Sequence, residues 1–162
     1  THWRPLDDLA CRGDITSEQM WREILQKIGY SGSSLDLTEE WMNRFEIIYP
    51  VHQMLVDISR TCAVGILSNL YPGLYPKVVR RGLVPNINYE AIVLSSEERE
   101  IKPAAKMFEI AERRAGKKPG QLLLLDDLQE NIDVARSRGW SGVLYDSWNP
   151  QEAIGKILSL IR

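Results

Sequence analysis

At 162 residues the chain has the length of one domain, or of one domain with a small insertion. Its 20 basic and 22 acidic residues leave a net charge of −2, which excludes the basic footprint of a nucleic-acid binder. Hydrophobic residues at 44% suffice for a core, and the apolar runs near 62–67 and 122–125 are far too short to span a membrane. Cys11 and Cys62 have neither CxxC nor zinc spacing. They read as buried thiols in a reducing compartment, and no signal-peptide pattern opens the sequence, so a cytoplasmic protein is expected.

In chain order, residues 1–15 form no element by pattern. Thr16 or Ser17 caps a helix to about Lys27, with Trp21, Ile24, Leu25 and Ile28 on one face and Gly29 as its stop. A polar turn is expected over 31–34. Thr38 then caps a second helix, with Glu39 and Glu40 in its first turn and Pro50 at its end. Trp41, Phe45 and Ile48 form its apolar stripe. Trp3, Trp21 and Trp41 read as packing anchors. Up to residue 50 the pattern is a small helical unit.

Beyond Pro50 helices and strands alternate. A short helix over 51–60 precedes a buried strand at 63–67 (AVGIL), which ends in Ser68-Asn69. Residues 71–81 are irregular, then helical, up to Gly82. A strand at 91–94 runs into a charged loop, SSEERE. Lys102-Pro103 opens a helix that continues to Gly116, with proline at the tolerated first position. Four leucines at 122–125 form the next strand, a helix runs from Leu128 to the stop at Gly139, and a strand at 142–145 leads to a last helix over 150–161. Repeated strand-then-helix order implies an α/β fold with a doubly wound parallel sheet.

The four leucines end in Asp126 and Asp127. Two adjacent carboxylates at the end of an apolar strand repel each other. A hard cation such as Mg²⁺ relieves that repulsion, because it takes carboxylate oxygens and completes its shell with water and phosphate. The alternative is a helix N-cap acid with a neighbour that suits the helix dipole. The remaining chain weighs on the choice. In a doubly wound sheet the loops after successive strands gather on one rim. Those loops carry Ser68 and Asn69, then Lys102, then Asp126 and Asp127. A hydroxyl with its neighbouring amides, an ammonium and a carboxylate pair are the groups phosphoryl transfer uses. Asn131 is either a supporting partner of the acids or an ordinary polar helix residue. His2 and His52 have no partners at ligand spacing.

These pieces together resemble the haloacid dehalogenase (HAD) superfamily. GILSN (65–69) is similar to its second motif, IKPAAKMFEIA (101–111) to its third, and LLLLDDLQENIDVARSRG (122–139) to its fourth. Residues 1–50, with RGDIT (12–16), resemble the family's helical cap, which leaves 51–162 as a Rossmann-like core. The resemblance implies that Ser68 binds a phosphoryl group and that Lys102 steadies it and the nucleophile. It also implies Asp126 as the direct Mg²⁺ ligand, Asp127 in support, and Ser68, Asn69 and Lys102 as substrate-binding residues. Dehalogenating members usually lack paired acids, so the pair favours a Mg²⁺-dependent phosphatase acting on a small phosphomonoester. A metal-free 2-haloacid-dehalogenase-like hydrolase and a non-catalytic HAD-like scaffold are the alternatives. Nucleic acid and membrane are not expected partners, and the sequence leaves the oligomeric state and the particular substrate open.

One family motif has no counterpart. The nucleophile belongs to a strand ending in DxDx[TV]; SLDLT (34–38) has polar flanks and no second acid two positions on, and Asp7-Asp8 has no strand before it. The nucleophile strand is therefore expected upstream of Thr1, so that 51–162 is a core lacking its first strand and the 162 residues alone are inactive. In the family that strand lies between those of Ser68 and Asp126. Without it they are expected to stand two strand spacings apart, roughly 10 Å.

Overall fold

The computed structural model describes residues 3–30, 32 and 37–161. Strands β1 (Val64–Ser68) and β2 (Tyr89–Leu94) pair in parallel, as do β3 (Leu123–Asp126) and β4 (Ser141–Leu144). Helices α1 (Arg4–Cys11), α2 (Ser17–Lys27), α3 (Leu37–Met42) and α4 (Tyr49–Ile58) precede β1. Helix α5 (Leu74–Arg80) follows β1, and the short α6 (Ser95–Glu98) and α7 (Ala105–Ala115) follow β2. Helix α8 (Gln129–Ser137) links β3 to β4, and α9 (Pro150–Leu160) comes last. The parallel α/β architecture expected from the alternation is present. No helix among the described residues is long and apolar enough to cross a membrane.

The sheet is in two parts. β1 pairs with β2 and β3 with β4, and the ladder does not continue from β1 to β3. A cavity of about 560 Å³ lies between the pairs, lined by Gly65, Ile66 and Leu67 of β1 and by Leu123, Leu124 and Leu125 of the β3 run. Among the described residues neither β1 nor β3 has a strand partner on its second edge, an arrangement that backbone groups tolerate poorly.

Helices hold the two pairs together. Val93 of β2, Met107 and Phe108 of α7, Leu124 of β3, and Ile132 and Trp140 around α8 share one buried cluster. Phe108 meets Trp140 edge-on, with ring centroids 5.6 Å apart. On the other side Met54 of α4 packs with Val143 of β4 and with Ala153 and Ile157 of α9. The helical unit packs through Leu6, Ala10, Met20 and Met42 onto Tyr71 and Leu74, next to α5.

Several elements differ from the sequence expectation. Residues of the irregular-looking N-terminus form α1, with Pro5 in its first turn. The Leu6 and Ala10 face of that helix packs in one cluster with Met20 of α2 and Tyr71. Thr16 caps α2 as expected, in a reciprocal capping box with Gln19. Thr38 does not cap α3; it lies inside that helix and is buried. Nor does α3 run to Pro50, because it stops at Met42 and Pro50 instead sits in the first turn of α4. Phe45 and Ile48 are accordingly exposed, in the segment between the two helices. Trp21 and Trp41 do pack, Trp41 against Phe45 and Tyr71, whereas Trp3 is exposed. Part of the SSEERE loop is helical as α6. Lys102 and Pro103 occupy a turn, and α7 starts only at Ala105. Cys62 is half-buried rather than buried. Most of the expected turn over 31–34, His2, and most of the SLDLT segment (34–38) lie outside the described residues.

Candidate functional site

Asp126 is the last residue of β3, and its carboxylate is buried although its neighbour Asp127 is exposed. The strand ends between them: Asp126 still belongs to β3, whereas Asp127 lies in the bend that follows. Three donors converge on Asp126. The Leu128 backbone N–H reaches Oδ1 at 3.0 Å, Asn131 Nδ2 reaches Oδ1 at 2.8 Å, and Lys102 Nζ reaches Oδ2 at 2.5 Å. The side chains of Lys102 and Asp126 are only 9% and 5% exposed, so this is a buried ion pair rather than a surface contact. Leu128, expected to begin the helix, is the exposed N-cap residue of α8, and its contribution is the N–H.

Lys102 is in turn held by its backbone. Asn69 Oδ1 accepts the Lys102 N–H at 2.8 Å, and Asn69 Nδ2 donates to the Lys102 carbonyl at 3.0 Å. Ser68 is the last residue of β1, half-buried, with its hydroxyl 3.5 Å from the Asn69 carbonyl. Asn69, Lys102 and Asp126 are thus linked by hydrogen bonds where β1 and β3 end, and Ser68 is the last residue of β1 beside them. The role each plays there is taken up below.

Two further residues shape this rim. Asn131 is almost fully buried, and its Oδ1 has no hydrogen-bond partner while its Nδ2 holds Asp126. Of the two readings the sequence leaves open for Asn131, its contact with Asp126 is that of a supporting partner of the acids. Ser95, the fully buried first residue of α6, accepts from the Leu70 N–H at 2.9 Å and donates to the Cys11 carbonyl at 2.5 Å. Together with the Arg99–Asp14 pair at 2.6 Å it pins the RGDIT segment to the loops beyond β1 and β2. Nothing in the sequence marks that serine, because its partners are backbone groups brought from far away. Cys11 is no candidate nucleophile: burial first, then Asp7 and Asp8, pushes its thiol up to about 12.

Asp126 and Asp127 can contribute to a hard-cation site. Oδ2 of Asp126 accepts one hydrogen bond and keeps acceptor capacity, and the exposed Asp127 lies beside it. Among the described residues no group of three His, Cys, Asp or Glu side chains is arranged to hold a metal by itself. The pair fits an ion such as Mg²⁺, which takes one or two carboxylates and fills its shell with water and substrate phosphate. The orphaned Oδ1 of Asn131 adds a buried acceptor next to the same carboxylate.

No protein-family model matches the sequence, and neither does any curated protein. Solved structures do match. A predicted HAD-like family hydrolase from Porphyromonas gingivalis superposes with a TM-score of 0.79 at 20% identity, over 97% of this chain and 78% of that one. A HAD-family enzyme from Bacteroides thetaiotaomicron, an aspartate-to-alanine variant in complex with magnesium and inorganic phosphate, matches at 0.70 and 23% identity over 86% and 74%. An L-2-haloacid dehalogenase from Xanthobacter autotrophicus with covalently bound chloropropionic acid matches at 0.64 and 20% identity over 97% and 68%. The fold is therefore of the HAD type.

Proposed function

We propose that the protein is a Mg²⁺-dependent HAD-type hydrolase, a phosphatase acting on a small phosphomonoester. The observation that carries this reading is the buried Lys102–Asp126 pair at 2.5 Å, on the same rim as Ser68. Burying an ammonium and a carboxylate costs several kcal/mol before their attraction offsets it. A structural core gains little from such a pair, whereas a site that handles a dianionic phosphoryl group uses it.

In this reading the Ser68 hydroxyl and the Asn69 N–H hold phosphoryl oxygens, and the Lys102 ammonium balances charge on the phosphoryl group and the attacking carboxylate. Asp126 and Asp127 hold Mg²⁺, with Asn131 fixing Asp126. Bound Mg²⁺ supplies Lewis-acid stabilisation of charge on the phosphoryl oxygens. The cap, residues 1–50, closes over the rim and selects the substrate. The attacking carboxylate belongs to a further parallel strand seated between β1 and β3, supplied by polypeptide outside residues 1–162. Support for that placement comes from the two unpaired apolar edges and the 560 Å³ cavity between them. The carboxyl end of a strand there would emerge beside Lys102.

The test is turnover by the full-length gene product, with a generic aryl phosphate in the presence and absence of Mg²⁺. Phosphate release that needs Mg²⁺ and disappears in Lys102→Ala is the expected result. Halide release from a 2-haloacid without metal would replace the phosphatase with the dehalogenase reading. Neither activity, from a product whose intact mass equals the 18.6 kDa of these residues, would overturn catalysis in favour of a HAD-like binding or scaffold module.

A further inference from the structure

We propose that Asn69 is a positioning residue for Lys102, so that its side-chain amide sets where the ammonium stands instead of binding substrate. Asn69 directly follows β1, and Lys102 lies 33 positions further on, in the turn before α7. Oδ1 of Asn69 takes the Lys102 N–H at 2.8 Å while Nδ2 gives to the carbonyl of the same residue at 3.0 Å. Two opposed bonds to one residue's backbone fix its position and its orientation together, as pairing with a neighbouring strand would. Asparagine meets that demand because one planar amide carries both a donor and an acceptor. Aspartate offers acceptors only, serine one hydroxyl, and glutamine the same amide on a longer and looser arm.

The consequence lies at the far end of the lysine. Its ammonium reaches Asp126 Oδ2 at 2.5 Å through a flexible four-carbon stem. Anchoring the backbone narrows the volume that Nζ can sweep. The path from Asn69 through Lys102 and Asp126 to Asn131 also bridges the end of β1 and the beginning of α8, over a gap that no strand pairing crosses. With Oδ1 and one Nδ2 hydrogen committed in this way, the Asn69 side chain keeps a single amide hydrogen, held in an orientation that Lys102 dictates.

The inference rests on the functional reading for its kinetic meaning, but Lys102 can be read without turnover. In the full-length protein, Lys102 would be labelled competitively with an amine-reactive reagent and quantified by peptide mass, with the exposed Lys156 as internal standard. Asn69→Ala is expected to raise Lys102 labelling relative to Lys156 by about tenfold, the equivalent of about 1.4 kcal/mol. Asn69→Asp keeps the acceptor for the N–H and should fall between. Where turnover is measurable, kcat drops while KM stays within about twofold, the signature of an interaction that acts in the transition state. Unchanged Lys102 labelling in Asn69→Ala overturns the proposal. So does a rise shared equally by Lys77 and Lys106, which means general loosening, or a KM rise at constant kcat, which means that Asn69 binds substrate. Absence of phosphatase turnover in every variant would sink the functional reading alone, since the labelling ratio still decides the role of Asn69.

Discussion

The half of the sheet made by β1 and β2 ends at the rim in neutral groups, Ser68 and Asn69, whereas the half made by β3 and β4 ends in Asp126 and Asp127. The first half also carries the helical unit and supplies Lys102; the second carries α8 with Asn131. Neither half holds a complete set of groups for phosphoryl chemistry. They are tied at the rim by the Lys102–Asp126 pair, and again at the opposite side through Glu112 of α7. Arg138 donates to both oxygens of Glu112 at 2.9 Å, and the Trp140 indole donates to Oε1 at 2.8 Å. Between these two ties the strand edges face a cavity. The lesson is that side chains and helix packing hold the halves in a sheet-like arrangement that backbone pairing does not complete.

The largest effect is expected from breaking the rim tie. Lys102→Met leaves the Asp126 carboxylate buried without its cation, which costs about 3–5 kcal/mol. Urea unfolding monitored by circular dichroism measures it. A double variant that also replaces Asp126 with Leu should recover much of the loss, and an equal or greater loss in the double variant would mean that the pair itself contributes net stability.

Leu125→Lys probes the gap together with the Met54–Val143 cluster, because Leu125 is half-buried, lines the gap and packs against that cluster. If a strand fills the gap in the full-length protein, a charge there should cost roughly 2–4 kcal/mol, in the range of large disruptions of a packed core. A change under about 0.5 kcal/mol, typical of surface sites, would mean that the gap is open to water.

The opposite tie carries a pH signature. Hydrogen bonding from Arg138, partly opposed by burial and reinforced by Trp140, holds the Glu112 carboxyl below its ordinary value of 4.5. Folding thus favours the ionised form. The stabilisation is full above the ordinary value and fades as pH falls through the lower folded value. Glu112→Gln should therefore lose about 1–2 kcal/mol at pH 7, and the difference from the parent should shrink below pH 4.5. A difference that stays constant down to pH 3 would show that packing around Trp140, not charge, accounts for it.

The smallest effect belongs to the helical unit. Thr16→Ala removes one side of the capping box that starts α2 and should cost about 1 kcal/mol, read as a shift of the thermal midpoint. It should leave labelling of Lys102 unchanged, since the cap lies outside the rim network.

Most of the strand-and-helix order, and the rim groups, were legible in the sequence for a local reason. Apolar periodicity, capping residues and breakers act within a few positions, so AVGIL, LLLL and the stripe of α7 declare themselves without knowledge of what they touch. The acids and Lys102 were legible because charges at strand ends and helix starts are conspicuous against apolar runs. The length of α3 and the place of Pro50 were not, because each depends on which distant surface an apolar face finds; α1, by contrast, has a local signal in Pro5 followed by Leu6, Leu9 and Ala10 at helical spacing. Ser95 and the Asn69 amide were hidden for a related reason, since their partners are backbone groups 25 and 33 positions away, or 84 for the Cys11 carbonyl, and backbone is the same at every residue. The sequence by itself determined an alternating α/β chain with a charged rim. The absence of a nucleophile strand in the sequence also led to the expectation that the Ser68 and Asp126 strands stand apart, as they do. Only the tertiary structure decided that the rim is tied through Asn69, because a side chain's contact with distant backbone is something no local pattern encodes.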